Sequence, residues 1–299
     1  MIRPVLILLL CACSAAPSAA ETWSQNMSTA VREGNQLGQL DLWRQRHQAA
    51  SGLDPVALVG LGRALAQQSQ LDVALRVLEA GDRRLGGRSG PVALELGRTE
   101  RLLGQGVRAV AALERATVAP DRPEGAWYEL ARAQLEAGLN DEAARSAVRA
   151  AREAPHSVES LDLLIGCSAL TGDTEQEYAG LVRRMGLGGM DVSGLLRLAQ
   201  LGLGSEAQGP RDGERAWAAV RRAVGKDPQS VQANRMLGQI IAGRGEHVQA
   251  VRYFERAAEL DPGNRVLMLE LAGCLRSAGQ EERADQMQRH AETLQGPND

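Results

Sequence analysis

"MLGQIIAGRGEHVQAVRYFERAAELDPGN", Met236 to Asn264, reads as two helices around a short turn. Apolar and small residues recur at helical spacing on both sides of Gly245, and Pro262 closes the second run. At an offset of 107 residues, "YELARAQLEAGLNDEAARSAVRAAREAPHS" follows the same plan. Leu237-Gly238, Ala250, Phe254, Ala257 and Pro262 answer to Leu130-Ala131, Ala143, Ala147, Ala150 and Pro155.

Two further copies precede these. Leu61-Gly62 leads to Ala74 and Leu78, and Leu96-Gly97 leads to Ala109, Leu113 and Ala116, with offsets of 34 or 35 residues between equivalent positions. Two helices in a hairpin approach closely where a small side chain occupies the contact, so Gly238 is expected to face Ala250, and Ala131 to face Ala143. Gly138, Gly245 and Gly279 stand where a first helix must end in a left-handed residue. A single hairpin cannot bury its apolar face alone, so the copies must stack on one another.

This pattern resembles that of tetratricopeptide repeat proteins, from about Pro55 to Ala291. The likeness is strongest in the units beginning near Gly90, Glu124, Val231 and Arg265. The unit from Val158 departs from it, with Glu177 where the family's most constant alanine belongs. Another departure is the insertion "GLGSEAQGPRDGE" in the unit that ends at Pro228. The resemblance implies an all-α solenoid of antiparallel helix pairs, about seven units, preceded by a degenerate capping pair over residues 21–54. A first half is expected over 55–184 and a second over 195–294, with the glycine-rich stretch 185–194 as a loop or hinge and 295–299 as a disordered tail.

The amino terminus has a different character. Arg3, the apolar run Val5 to Ala12 and the small residues Ser18-Ala19-Ala20 predict a signal peptide over residues 1–20. Leu10-Cys11-Ala12-Cys13 offers a second reading, a lipoprotein box acylated at Cys13. Both readings place the mature chain outside the cytoplasm, periplasmic or secreted in one case and an outer-membrane lipoprotein in the other. No other segment is apolar enough to span a bilayer. Cys167 and Cys274 occupy equivalent positions three repeats apart, too distant to pair, and are expected to be buried thiols.

The formal charge of −3 gives no concentrated cationic surface for nucleic acid. His47, His156, His247 and His290 are isolated, and no metal-ligand spacing, phosphate loop or nucleophile–base pair stands out. No cofactor, metal or catalytic residue is therefore assigned, and the chain is expected not to be an enzyme; a site hosted in a groove is the remote alternative. The resemblance directs attention to the first helices, which line a concave binding groove in the family. The groove positions here are Val59 and Arg63, Leu94 and Arg98, Tyr128 and Arg132. Each arginine follows an apolar residue by four, which predicts an apolar stripe beside a cationic ladder. Such a surface suits a protein or peptide segment bearing carboxylates and apolar anchors, unless Glu95 or Glu136 neutralises the ladder. The Lys/Asn pattern with which some family members clamp an acidic tail is absent. On this reading Arg98→Glu combined with Arg132→Glu should leave the helices intact.

Overall fold

The computed structural model describes residues 55–204 and 213–294. Among them are fourteen α-helices and no strand, in seven consecutive pairs. They are α1 (Pro55–Gln67) and α2 (Leu71–Arg84), α3 (Gly90–Leu102) and α4 (Gly106–Val118), α5 (Ala126–Glu136) and α6 (Asn140–Glu153), and α7 (Val158–Thr171) and α8 (Thr174–Leu187). Then follow α9 (Val192–Leu203) and α10 (Gly213–Lys226), α11 (Val231–Gly243) and α12 (His247–Leu260), and α13 (Arg265–Ser277) and α14 (Glu281–Thr293). The class is all-α and of the tetratricopeptide type. The signal peptide, Cys13, the capping pair, the tail and most of the expected insertion lie outside the described residues.

The chain divides into two compact units, Met1–Leu163 and Leu164–Asp299, with the boundary inside α7. In the first, each helix packs on its hairpin partner, and α2 and α4 pack on the first helix of the following pair. The first helices also approach one another, α1 against α3 and α3 against α5. The core is aliphatic, with Leu58, Leu65, Leu78, Leu113 and Leu130 fully buried. In the second unit a continuous cluster runs from Tyr178 to Ala291 and includes Leu198, Leu237 and Phe254. Residues 185–194 lie within this unit: α8 continues to Leu187, and only residues 188–191 separate it from α9. Gly188 and Gly189, both with positive φ, end the helix there.

The repeat positions are buried as their spacing predicts; Ala74, Ala109, Ala131, Ala143, Ala250 and Ala257 have no exposed surface. The large residue one turn beyond each alanine joins the contact. A β-carbon built on Gly238 would meet the Phe254 ring at 3.0 Å. At Gly62 it would lie 2.8 Å from Leu78, and at Gly97 2.4 Å from Leu113 and 3.1 Å from the carbonyl oxygen of Ala109, the residue equivalent to Ala250. The glycine makes room for a large side chain one turn beyond the alanine, so small packs against large and the interface interlocks.

The hairpin turns repeat a single hydrogen-bonding scheme. Gly104, Gly138, Gly172, Gly245 and Gly279 take positive φ, and in each turn the next residue's N–H bonds back to a carbonyl five residues earlier. Ser69 holds the same place in the first pair with φ of 62°. α12 stops at Leu260, two residues before Pro262. Cys167 and Cys274 are both buried free thiols, and burial pushes both above the usual thiol value.

Candidate functional site

The six groove positions separate into two sets. Val59 and Leu94 are buried, 8% and 2% exposed, and belong to the core rather than to an open stripe. Arg63, Arg98 and Arg132 do lie toward solvent, and Tyr128 is half-buried with Arg132 stacked above its ring, 5.7 Å from the centroid. A residue four positions earlier on a helix is turned by about 40° from its partner. Here that rotation carries Val59 and Leu94 under the surface on which their arginines stand.

The arginines are joined by carboxylates into a chain of ion pairs across α1, α3 and α5. Arg63 donates to Glu95 Oε1 at 2.8 Å, and so does Arg98 from the same helix as Glu95. Arg98 Nε reaches across to Glu129 Oε1 at 2.9 Å. Arg101, one turn further along α3, donates to Glu136 at 2.8 Å and lies 3.8 Å from Glu129. Glu95 and Glu129 are buried, so their charges require these partners. The cationic ladder is thus largely neutralised by Glu95, Glu129 and Glu136.

Arg132 is the exception. The register that supplies a glutamate 31 or 32 residues after Arg98 and Arg63 offers Leu163 and Leu164 after Arg132. Among the described residues its one ion pair is a 4.0 Å contact with Glu136 Oε1, an oxygen already bonded to Arg101. Its side chain is 37% exposed. The ladder therefore ends in a guanidinium with donors to spare beside an aromatic ring.

The second unit carries pairs of the same kind. Arg235 of α11 binds Glu270 of α13 with two 2.7 Å bonds, and Gln239 adds a third at 2.8 Å. Glu177, in place of the expected alanine, is 2% exposed and forms a two-bond pair with Arg197 of α9 at 2.7 and 2.8 Å. The bonds to Glu177 push the Arg197 guanidinium further up. Glu129 was not singled out from the sequence, although Glu95 and Glu129 recur at 34 residues, each three before an arginine. That recurrence was the available signal.

The tetratricopeptide repeat family model matches residues 94–158 and 201–265. No curated protein matches the sequence significantly. Among solved structures, YrrB, described as a tetratricopeptide protein with an unusual peptide-binding site, is 14% identical, with a TM-score of 0.50 over 63% of this chain and 95% of its own. A tetratricopeptide repeat protein from Parabacteroides merdae is 14% identical, with a TM-score of 0.45 over 82% and 94%. MamA from Desulfovibrio magneticus is 17% identical, with a TM-score of 0.45 over 58% and 95%. The family match and the likeness to YrrB concern the fold, a general protein-interaction scaffold type.

Proposed function

We propose that this chain is an interaction scaffold of the bacterial envelope that holds a protein or peptide segment on the face formed by α1, α3 and α5. The observation that carries the reading is Arg132, the end of the ladder, with unused donors next to Tyr128. A segment carrying a carboxylate and an apolar or aromatic group satisfies both. Arg63 and Arg98 extend the contact along the face, while Val59 and Leu94 support it from beneath. The peptide-binding site named for YrrB, whose fold is similar, is in keeping with this use of the scaffold. Export is supported by the apolar run Val5 to Ala12 and by Ser18-Ala19-Ala20. A lipid-anchored form rests on Cys13, and fatty-acid labelling of the wild type against Cys13→Ala distinguishes the two.

The ladder decides which substitution tests the face. Arg132→Glu reverses the spare charge without removing a partner from a buried carboxylate, so fold stability should change by less than about 1 kcal/mol. Crosslinked partners recovered from the native envelope should fall in the variant, and capture by the wild type should weaken with salt. Equal recovery by both proteins at low salt would remove Arg132 from the binding face.

A further inference from the structure

On a different face of the first unit, a cleft of about 300 Å³ opens between α2, α3 and α4. Its floor and walls include Asp82 and Glu79 from α2, Leu96 and Glu100 from α3, and Arg108 and Arg115 from α4. Asp82 and Glu100 are 8% and 3% exposed. Arg115 donates to Asp82 Oδ2 at 2.7 Å, and Arg108 Nε lies 3.2 Å from Glu100 Oε1. The second oxygen of each carboxylate, Asp82 Oδ1 and Glu100 Oε2, is buried and has no hydrogen-bond partner. The terminal nitrogens of Arg108 are directed to Gln105 and Glu79 instead.

We propose that this cleft receives a primary ammonium group, held between Asp82 Oδ1 and Glu100 Oε2. Two buried carboxylate oxygens without donors are costly, and a cation with N–H groups removes that cost. An ammonium suits the site better than a guanidinium because its three donors radiate from one small centre. The lining already holds three planar guanidinium groups, Arg83, Arg108 and Arg115. Leu96 and Ala112 offer an apolar wall for the methylene stem of a lysyl side chain or an alkyl amine. The carboxylates do not form a metal-holding group. Arg108 and Arg115, with side chains 55% and 40% exposed, line the cleft, and the ligand reaches the two oxygens as these side chains move outward.

The charges facing Glu100 are Glu79, Asp82 and Arg83 from α2 and Arg108 and Arg115 from α4. Burial raises the Glu100 carboxyl above its usual value, and the arginines only partly oppose this. Ammonium binding to the ionised form should therefore strengthen as pH rises through that raised value. The site is separate from the α1–α3–α5 face, so either assignment can fail without the other.

Calorimetric titration of the full chain with 1,4-diaminobutane and with N-acetyl-lysine amide, at matched ionic strength, tests the assignment. Tetramethylammonium, a cation without N–H donors, is the control. Saturable binding of at least one amine is expected, tighter at pH 8 than at pH 5, with no binding of the control. Binding of the lysine amide would mark a partner's lysyl side chain as an occupant; binding of the diamine alone would mark a free amine. Asp82→Asn and Glu100→Gln should each weaken binding roughly tenfold or more. Should either variant fail to fold, amide shift changes in the wild type must centre on α2, α3 and α4. No binding, an equal response to tetramethylammonium, unchanged affinity in folded variants, or shifts centred elsewhere would overturn the proposal.

Discussion

Ser69 stands where five other hairpins place glycine, and its φ of 62° is the only positive value of a non-glycine residue among the described residues. The turn around it is already complete, with Ser69 N–H bonded to the Ala66 carbonyl and Gln70 N–H to the Leu65 carbonyl, both at 2.9 Å. What remains is steric. A β-carbon in the left-handed region costs roughly 1–2 kcal/mol, part of which glycine returns through the greater freedom of its unfolded chain. Ser69→Gly should therefore stabilise the protein by about 0.5–1 kcal/mol, visible as a higher midpoint in urea with an unchanged slope. A lower midpoint would mean that the Ser69 side chain contributes more than its backbone strain removes. Glu177 shows the opposite balance, a side chain that breaks the small-residue rule and is compensated by Arg197. The sequence marks the exception, but the partner lies 20 residues away on the following helix pair. Only packing could bring it there.

Along α3, two arginines three residues apart, Arg98 and Arg101, hold carboxylates from different helices, whereas Arg132 on α5 holds none closely. The repeated arginines were legible in the sequence; their inequality was not, because it depends on which residue the next helix presents. The expectation that Arg98→Glu combined with Arg132→Glu spares the fold requires correction. Glu95 and Glu129 are buried, and Arg98 bonds to both. Replacing it by Glu sets three carboxylates together and leaves Glu129 with only the 3.8 Å contact to Arg101. Removing a partner from buried charges costs about 3–5 kcal/mol. With the Arg98 side chain 31% exposed to screening solvent, Arg98→Glu should cost about 2–4 kcal/mol. Urea denaturation of the single variants should separate this loss from the small effect of Arg132→Glu. Equal stabilities would show that the ladder is ornamental to the fold. The cleft floor was hidden for a related reason: Asp82 and Glu100 look like ordinary helical acids until the helices assemble around them.

Across the whole chain, the interval of small residues was enough to read the seven hairpins and their order. It did not show the large side chain that fills each contact, as Phe254 does against Gly238. Nor did it assign the solvent side of Val59 and Leu94, which depends on how far each helix is rotated in its stack. The same architecture governs how damage spreads. Within each unit the helices touch chiefly their neighbours in sequence, so stability is a sum of hairpins and adjoining interfaces rather than one shared core. Ala250 on α12 is fully buried beside Val251 and Phe254 in the second unit's cluster. Ala250→Trp adds a ring where no space exists and should cost about 1–3 kcal/mol or more by forcing α11 and α12 apart. Hydrogen exchange should quicken in α11 and α12 and, more weakly, in α10 and α13, which adjoin them. Amides of α3 and α4, in the other compact unit, should keep their wild-type rates. Uniform acceleration through both units would mean that the chain unfolds as a single cooperative body, and unchanged exchange throughout would mean that Ala250 does not occupy the tight position assigned to it.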